Sequence, residues 1–280
     1  MLPALFLVAA LGAPPATLVR YDVMETTRAL TPSGPRNRAL AGTVSVLGGK
    51  ARWELSGGRF PGVAARAAIA DAGTLVLLDP EASLATPVSR GEFDALFQPA
   101  PGPETLVTSE LKSVEASVVR SGEGTPFEGR PTARWKVSVS FVLVSAQSGR
   151  VVRLKHESTG VVETVVPDDP SVPTPFDGLI RLFQIRDSAR AALETELAKV
   201  TGLPVRVRLE ASTEGLTERV GSGATAAAAP PARASWTTTR TISRLESRAA
   251  TEEDAAAFAV PESYRSWPLE RARTEGPLTR

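Results

Sequence analysis

Gly42-Thr-Val-Ser-Val-Leu-Gly-Gly49 begins a series of three short strand-like segments, which continues with Lys50-Ala-Arg-Trp-Glu-Leu55 and Ile69-Ala-Asp-Ala-Gly-Thr-Leu-Val-Leu-Leu-Asp-Pro80. In each segment apolar residues alternate with polar ones or run together, and glycine-containing turns separate the segments. This pattern predicts consecutive antiparallel strands. It argues against a nucleotide-binding α/β unit, because the parallel strands of such a unit need a long helical crossover and none separates these segments.

Strand patterns continue on both sides of this series. Upstream, apolar and charged residues alternate over 19–23, which predicts a half-buried strand. Downstream, residues 105–166 predict strands that recur about every dozen residues, and two more strands are predicted at 205–210 and 236–246. Together these segments predict one large antiparallel sheet.

Helical spacing is found in two regions between the strands. Residues 91–98 predict a short helix, which a proline cluster at 99–103 ends. A threonine that can cap and a proline suited to the first helical position begin a helix pattern over 174–183. A second helical segment over 187–200 ends at Gly202. The sequence therefore predicts an α+β fold, in which a helical insertion interrupts the sheet strands.

The composition excludes several kinds of chemistry. The 280 residues include 32 Lys or Arg and 31 Asp or Glu, so the net charge of +1 gives no electrostatic basis for nucleic-acid binding. The chain has no cysteine, which excludes a disulfide, a thiolate nucleophile, an iron–sulfur cluster and a cysteine zinc site.

The N-terminal residues 1–16 are predicted to be a signal peptide. The apolar run over 1–13 is too short to span a bilayer of about 30 Å, but it suits the apolar core of a secretory signal. A buried first strand is the alternative. The rest is predicted to be exported and not integral to the membrane, with a single domain over 17–266, a low-complexity loop over 221–234 and a disordered tail over 267–280.

The inventory of catalytic and metal-binding residues is poor. His156 is the only histidine, which excludes a multi-histidine metal site, and its strand context predicts a hydrogen-bonded sheet histidine. Ser109 and Lys112 have the spacing of a serine–lysine pair, but a strand would place them on opposite faces. Asp168 and Asp169 are explained by turn chemistry between prolines. We therefore predict no enzyme, no catalytic residues, no metal and no cofactor.

Five short motifs carry a resemblance to a known superfamily. They are Gly42-x-Val-x-Val, Arg52-Trp53, Ile69-x-Asp-x-Gly-x-Leu-x-Leu-x-Asp-Pro80, Gly202-Leu-Pro-Val205 and Phe258-x-Val-Pro-x-x-Tyr264. With them the chain resembles the LolA/LolB-like periplasmic half-barrel superfamily, and most closely its exported relatives of unknown function. The resemblance implies a curved antiparallel sheet, that is an incomplete barrel, whose concave apolar side is covered by a helical lid. Gly48-Gly49-Lys50 stands where the carriers have a basic residue followed by proline.

The resemblance also implies a function, which is to bind a hydrophobic ligand. We predict a non-catalytic periplasmic or cell-envelope protein that binds a lipid, an acyl chain or a lipidated protein in the half-barrel. The candidate lining residues are Trp53, Trp135, Val137, Phe141, Leu179, Leu182 and Phe183. Two alternatives stay open: these side chains fill a dry core, or the same fold serves as a protein-interaction module such as an envelope sensor or an assembly scaffold. An enzyme that relies on carboxylates alone is a third alternative.

Overall fold

A single twelve-stranded sheet runs through the residues that this computed structural model describes. Those residues are 16–31, 34–97, 109–147, 150–183, 187–219 and 232–274. The sheet is curved and unclosed, and helical segments cover one of its faces. The predicted fold class, an α+β half-barrel with a helical insertion, is therefore confirmed.

Most strands lie next to the strand that precedes or follows them in the chain. In chain order they are β1 (Thr17–Thr31), β2 (Gly34–Leu47), β3 (Lys50–Leu55), β4 (Ala67–Asp71), β5 (Thr74–Asp79), β6 (Leu84–Val88), β7 (Ser109–Glu123), β8 (Ala133–Gln147), β9 (Arg150–Val165), β10 (Leu203–Arg219), β11 (Ala232–Ala249) and β12 (Arg265–Ser266). Their spatial order is β12-β6-β5-β4-β3-β2-β1-β11-β10-β9-β8-β7. Neighbours are antiparallel except β12 and β6, which are parallel. The first strand and the last long strand pair with each other, so the sheet edges fall at β7 and β12.

The series of strands predicted between residues 42 and 80 is confirmed as the end of β2 followed by β3, β4 and β5. The turn between β2 and β3 depends on Gly48 and Gly49, whose φ angles of 57° and 85° lie in the left-handed region that glycine adopts without strain. The strands predicted at 19–23, 205–210 and 236–246 are also present, each as part of a longer strand.

Within the described ranges the helices are α1 (Arg90–Ala95), α2 (Asp187–Leu197), α3 (Glu252–Ala256) and α4 (Leu269–Thr274), and two 3₁₀ turns lie at Pro175–Asp177 and Leu179–Leu182. The continuous helix predicted over 174–183 is wrong, because Gly178 has φ −57° and ψ 118° and interrupts it. A Cβ atom at Gly178 would lie 2.1 Å from the guanidinium of Arg90, so the break also makes room for that side chain. The predicted cap at Thr174 is confirmed, since its side chain accepts a hydrogen bond from the backbone N–H of Phe176.

Two predicted irregular segments need correction. Residues 267–274 were expected in a disordered tail, but Trp267 donates its backbone N–H to Ala85 (N···O 2.8 Å) and buried Leu269 begins α4. Residues 232–234, expected in the low-complexity loop, belong to β11. Of the other predictions, the signal peptide up to residue 15, the proline cluster at 99–103, the rest of the loop and residues 275–280 lie outside the described residues.

Two glycines mark places where neighbouring strands approach closely. A Cβ atom at Gly42 in β2 would lie 2.1 Å from the carbonyl oxygen of Glu54 in β3. A Cβ atom at Gly160 in β9 would lie 2.2 Å from the Leu209 side chain in β10. Glycine inside a strand commonly marks such a bend. The absence of a side chain at these two positions thus lets the sheet curve around its contents.

Candidate functional site

One face of the sheet, here called the inner face, is covered by the helical insertion. We call residues 175–183 and 187–197 the lid. The lid and strands β7–β10 share one apolar cluster, to which the lid contributes Leu179, Leu182, Phe183, Ala189, Leu193 and Leu197 and the sheet contributes Val118, Val137, Val139, Phe141, Val162, Val207 and Leu209. Phe183 and Leu193 are completely buried. The apolar side chains of the lid therefore fill the hollow that the curved sheet forms on this side.

Six of the seven predicted lining residues lie at this lid–sheet contact. Val137, Phe141, Leu179, Leu182 and Phe183 are buried members of the cluster, and half-buried Trp135 packs against it. Trp53 lies in a different apolar cluster, under β1–β5. In this structure all seven side chains pack as core, and their role as ligand lining stays a prediction.

Trp53 is the centre of an aromatic cluster. Its ring centroid lies 5.2 Å from that of Phe60, 6.4 Å from Phe93, 6.2 Å from Phe97 and 5.9 Å from Phe176. Phe93 and Phe97 come from α1 and the residues after it, and Phe176 comes from the lid. Edge-to-face and offset aromatic pairs add about 0.5–1.5 kcal/mol each beyond their buried area. The cluster thus holds α1 and the start of the lid against β3.

Four charged side chains lie buried between the two apolar clusters, and we call them the ionic cluster: Glu25, Asp177, Arg181 and Arg240. Each side chain is at most 5% exposed. Both terminal nitrogens of Arg181 donate to the carboxylate of Glu25, with 2.6 Å from Nη1 to Oε2. Arg240 bonds to Asp177 through Nη2 and places its Nε 3.2 Å from Oε1 of Glu25. Two carboxylates and two guanidinium groups therefore alternate in one network.

The ionic cluster joins the lid to the sheet. Asp177 and Arg181 belong to the lid, whereas Glu25 is on β1 and Arg240 on β11. The hydroxyl of Tyr21 on β1 also donates to Asp177, at 2.6 Å from O to Oδ2. The guanidinium of Arg181 further lies over the ring of Trp53, 5.1 Å from its centroid, which connects the ionic cluster to the aromatic cluster.

The charges of the ionic cluster balance, and the pKa shifts agree with that balance. Burial raises the pKa of Tyr21 well above its usual value, and the negative charge of Asp177 raises it further, so Tyr21 remains a donor. Burial acts to lower the pKa of Arg240, but the carboxylates of Asp177 and Glu25 outweigh it and the pKa is raised. A balanced buried network adds little net stability, yet losing one member leaves an uncompensated charge. All four charges are paired only when the lid lies in this position, so the ionic cluster specifies where the lid packs on the sheet.

The sequence contains a signal for the ionic cluster, although its residues match no motif. Glu25 continues the buried alternation of Val19, Tyr21 and Val23 along β1. Arg240 is likewise in phase with buried Ile242 on β11. A charged residue that falls on the apolar phase of a strand must be paired or costs several kcal/mol. The partners, however, are up to 215 positions apart, as Glu25 and Arg240 are, and follow no local pattern.

A buried carboxylate outside the ionic cluster attaches the lid to α1. The side chain of Asp94 is completely buried and lies 2.5 Å from Nη2 of Arg190 in α2 and 3.3 Å from Nε of Arg90 in its own helix. Glu196 of α2 also accepts the backbone N–H of Val118 in β7, at 3.1 Å. The lid is therefore fixed by separate polar contacts at both of its ends.

Several buried polar atoms in the described residues have no hydrogen-bond partner. They are Trp53 Nε1, Arg66 Nε, His156 Nε2, Ser158 Oγ, Arg181 Nε and Arg240 Nε, the last of which still forms an ion pair with Glu25. Leaving such an atom unpaired costs about 1–3 kcal/mol. The prediction of a fully hydrogen-bonded His156 is thus wrong for one ring nitrogen: Nδ1 lies 3.1 Å from the hydroxyl of Thr213, but Nε2 is unpaired. Most of these atoms lie on the inner face or the lid.

The described ranges contain no group of three or more histidine or acidic side chains arranged to hold a metal ion. None of their helices is long and apolar enough to cross a membrane.

The fold is an open half-barrel whose inner face is covered by the lid. No protein-family description and no curated protein matches the chain. Among solved structures the chain is similar to a domain assigned to an outer membrane lipoprotein-sorting protein from Vibrio parahaemolyticus, with 10% identity, 84% of this chain and 88% of that chain covered, and a TM-score of 0.25. It is also similar to a DUF1329 family protein from Desulfovibrio piger, with 10% identity, coverage of 86% and 89%, and a TM-score of 0.18.

Proposed function

We propose that this protein is a non-catalytic binding protein of the cell envelope that holds the apolar chain of a lipid, or of a lipidated partner, between the lid and the inner face. One observation carries the proposal. The apolar inner face of β7–β10 is covered by a separate segment that is attached through discrete polar contacts, instead of by a second sheet. The apolar N-terminal run supports export.

In this proposal the lid side chains occupy the place that the ligand takes. Leu182, Phe183 and Leu193 withdraw when the lid moves, and an acyl chain then covers the same apolar surface. Burial gains about 0.8 kcal/mol per methylene, so a chain of roughly 16 carbons contributes up to ~10 kcal/mol before entropic costs. Since the lid gives up comparable burial, the exchange is close to balanced and the ligand can be both taken up and released.

Replacing Phe183 with alanine tests this exchange. The variant removes part of the side-chain volume that competes with the ligand, so we expect it to bind dansyl-undecanoic acid at least tenfold more tightly than the unchanged protein. Fluorescence titration of lipid-stripped protein measures both dissociation constants, and we expect the unchanged protein to bind with a constant on the order of micromolar.

A matched control removes the same ring elsewhere. Phe258 is buried in a small cluster with Leu18 and Leu47, away from the lid. Phe258→Ala should lose comparable stability but bind the probe like the unchanged protein. If neither the unchanged protein nor Phe183→Ala binds the probe saturably, the proposal is wrong.

The second candidate function is a protein-interaction module. The filled space beneath the lid favours it, because such a module needs no internal cavity. Affinity capture from an envelope extract distinguishes the two functions. A module is expected to retain a stoichiometric protein and no lipid, whereas a lipid-binding protein retains lipid that native mass spectrometry detects.

A further inference from the structure

His156 and Ser158 are neighbouring inner-face positions on β9, and each presents a buried polar atom without a partner. Their exposed fractions are 3% and 2%. Nε2 of His156 and Oγ of Ser158 have no hydrogen-bond partner in the structure. The other ring nitrogen of His156 is held by the hydroxyl of Thr213 on β10. The imidazole is thus fixed on one side and unsatisfied on the other.

Rings and small side chains surround these two residues. The ring of Phe141 on β8 stacks on the imidazole with centroids 4.5 Å apart, and Trp236 on β11 lies 5.4 Å away. Ser158 is paired across the sheet with Ala211 on one side and Val139 on the other. The two polar atoms therefore have apolar neighbours: the rings of Phe141 and Trp236, and the short side chains of Val139 and Ala211.

This place is continuous with the apolar cluster under the lid. Val139 and Phe141 belong to the same cluster as Leu182 and Phe183. An acyl chain that replaced the lid side chains would therefore end next to His156. Burial lowers the pKa of His156 to about 4, so the ring is uncharged under neutral conditions and suits an uncharged partner better than an anion.

We infer that His156 and Ser158 form a polar subsite that binds the uncharged, oxygen-bearing head of an amphiphile, such as an ester carbonyl or a hydroxyl group. This inference rests on the proposed function, because the acyl chain of the same molecule lies beneath the lid. Nε2 of His156 and Oγ of Ser158, which have no partner without ligand, each form a hydrogen bond to the head group. The subsite selects for the head, whereas the lid–sheet cluster selects for the chain.

The single histidine makes the test direct. Protein grown with ¹⁵N-labelled histidine gives one imidazole spin system, which needs no assignment. It is titrated with monolauroylglycerol, and in parallel with dodecyltrimethylammonium, whose head can neither donate nor accept a hydrogen bond. We expect the Nε2 resonance to shift with monolauroylglycerol and to stay close to its free position with dodecyltrimethylammonium, although both chains bind.

Variants test the same point through affinity. Ser158→Ala and His156→Phe should each weaken monolauroylglycerol binding by about tenfold relative to dodecyltrimethylammonium. If both probes bind but the Nε2 resonance does not move and the affinity ratio is unchanged in Ser158→Ala, the subsite is refuted while the proposed function stands. If neither probe binds the unchanged protein, both are refuted.

Discussion

Replacing Glu25 with glutamine is expected to lower the free energy of unfolding by about 3–5 kcal/mol, as the loss of one member of a buried ion network does. Glu25 accepts from Arg181 and lies beside Arg240, and glutamine has nearly the same shape. The variant leaves two buried guanidinium groups facing one carboxylate. Urea denaturation followed by circular dichroism measures the loss.

A double-mutant cycle separates the charge effect from packing. Arg181→Met combined with Glu25→Gln again leaves one buried positive and one buried negative charge, Arg240 and Asp177, which already bond to each other. The loss of unfolding free energy in the double variant should therefore be smaller than the sum of the two single losses, by at least about 1 kcal/mol. Additive losses would show that the four side chains do not act as one network.

The same cycle has a binding readout that a merely structural role would not give. Arg181→Met weakens the attachment of the lid to β1, so a larger fraction of molecules should hold the lid open. Apparent affinity rises in proportion to the fraction that is competent to bind. We therefore expect Arg181→Met to bind dansyl-undecanoic acid more tightly although it is less stable.

Trp53→Ala is expected to cost about 3–5 kcal/mol of unfolding free energy, the usual loss when a large aromatic side chain is removed from a core. Trp53 is completely buried and contacts four phenylalanine rings and Arg181. Trp53→Phe should cost less, because it keeps a ring and removes the unpaired indole N–H. Thermal and urea denaturation measure both losses.

The expected effect on ligand affinity distinguishes Trp53 from Phe183. Trp53 lies outside the lid–sheet cluster, and phenylalanine keeps a ring against Phe176 and Arg181 of the lid. We therefore expect Trp53→Phe to leave the affinity for dansyl-undecanoic acid unchanged. A variant that keeps its stability but no longer binds the probe would instead make Trp53 a ligand contact, as the sequence first suggested.

The sheet could be predicted from the sequence because its information is local. Alternation of apolar and polar residues, together with Gly48 and Gly49 in a turn, specifies strands and their connections without reference to distant parts of the chain. The curvature of the sheet could be predicted only from the resemblance to the half-barrel superfamily. Its local cause, the missing side chains at Gly42 and Gly160, becomes evident once the strand partners are known.

The packing on the inner face of the half-barrel depends on contacts between side chains that are distant in sequence. Asp177 satisfies Tyr21 and Arg240, and none of these residues is near another along the chain. The break at Gly178 has a similar origin, since the side chain of Arg90 occupies the space where a helix side chain would lie. The lid could thus be predicted as a helical insertion, but neither its 3₁₀ turns nor its ionic attachment could be.

Movement of the lid away from the inner face is the central claim, and a distance measurement tests it most directly. Because the chain has no cysteine, spin labels at Ala192→Cys on exposed α2 and Lys136→Cys on the outer side of β8 report that separation alone. Pulsed electron–electron double resonance should show one short distance between the labels without ligand. With saturating monolauroylglycerol it should show a second, longer distance as well. An unchanged distance distribution, while native mass spectrometry shows the ligand bound, would contradict the account.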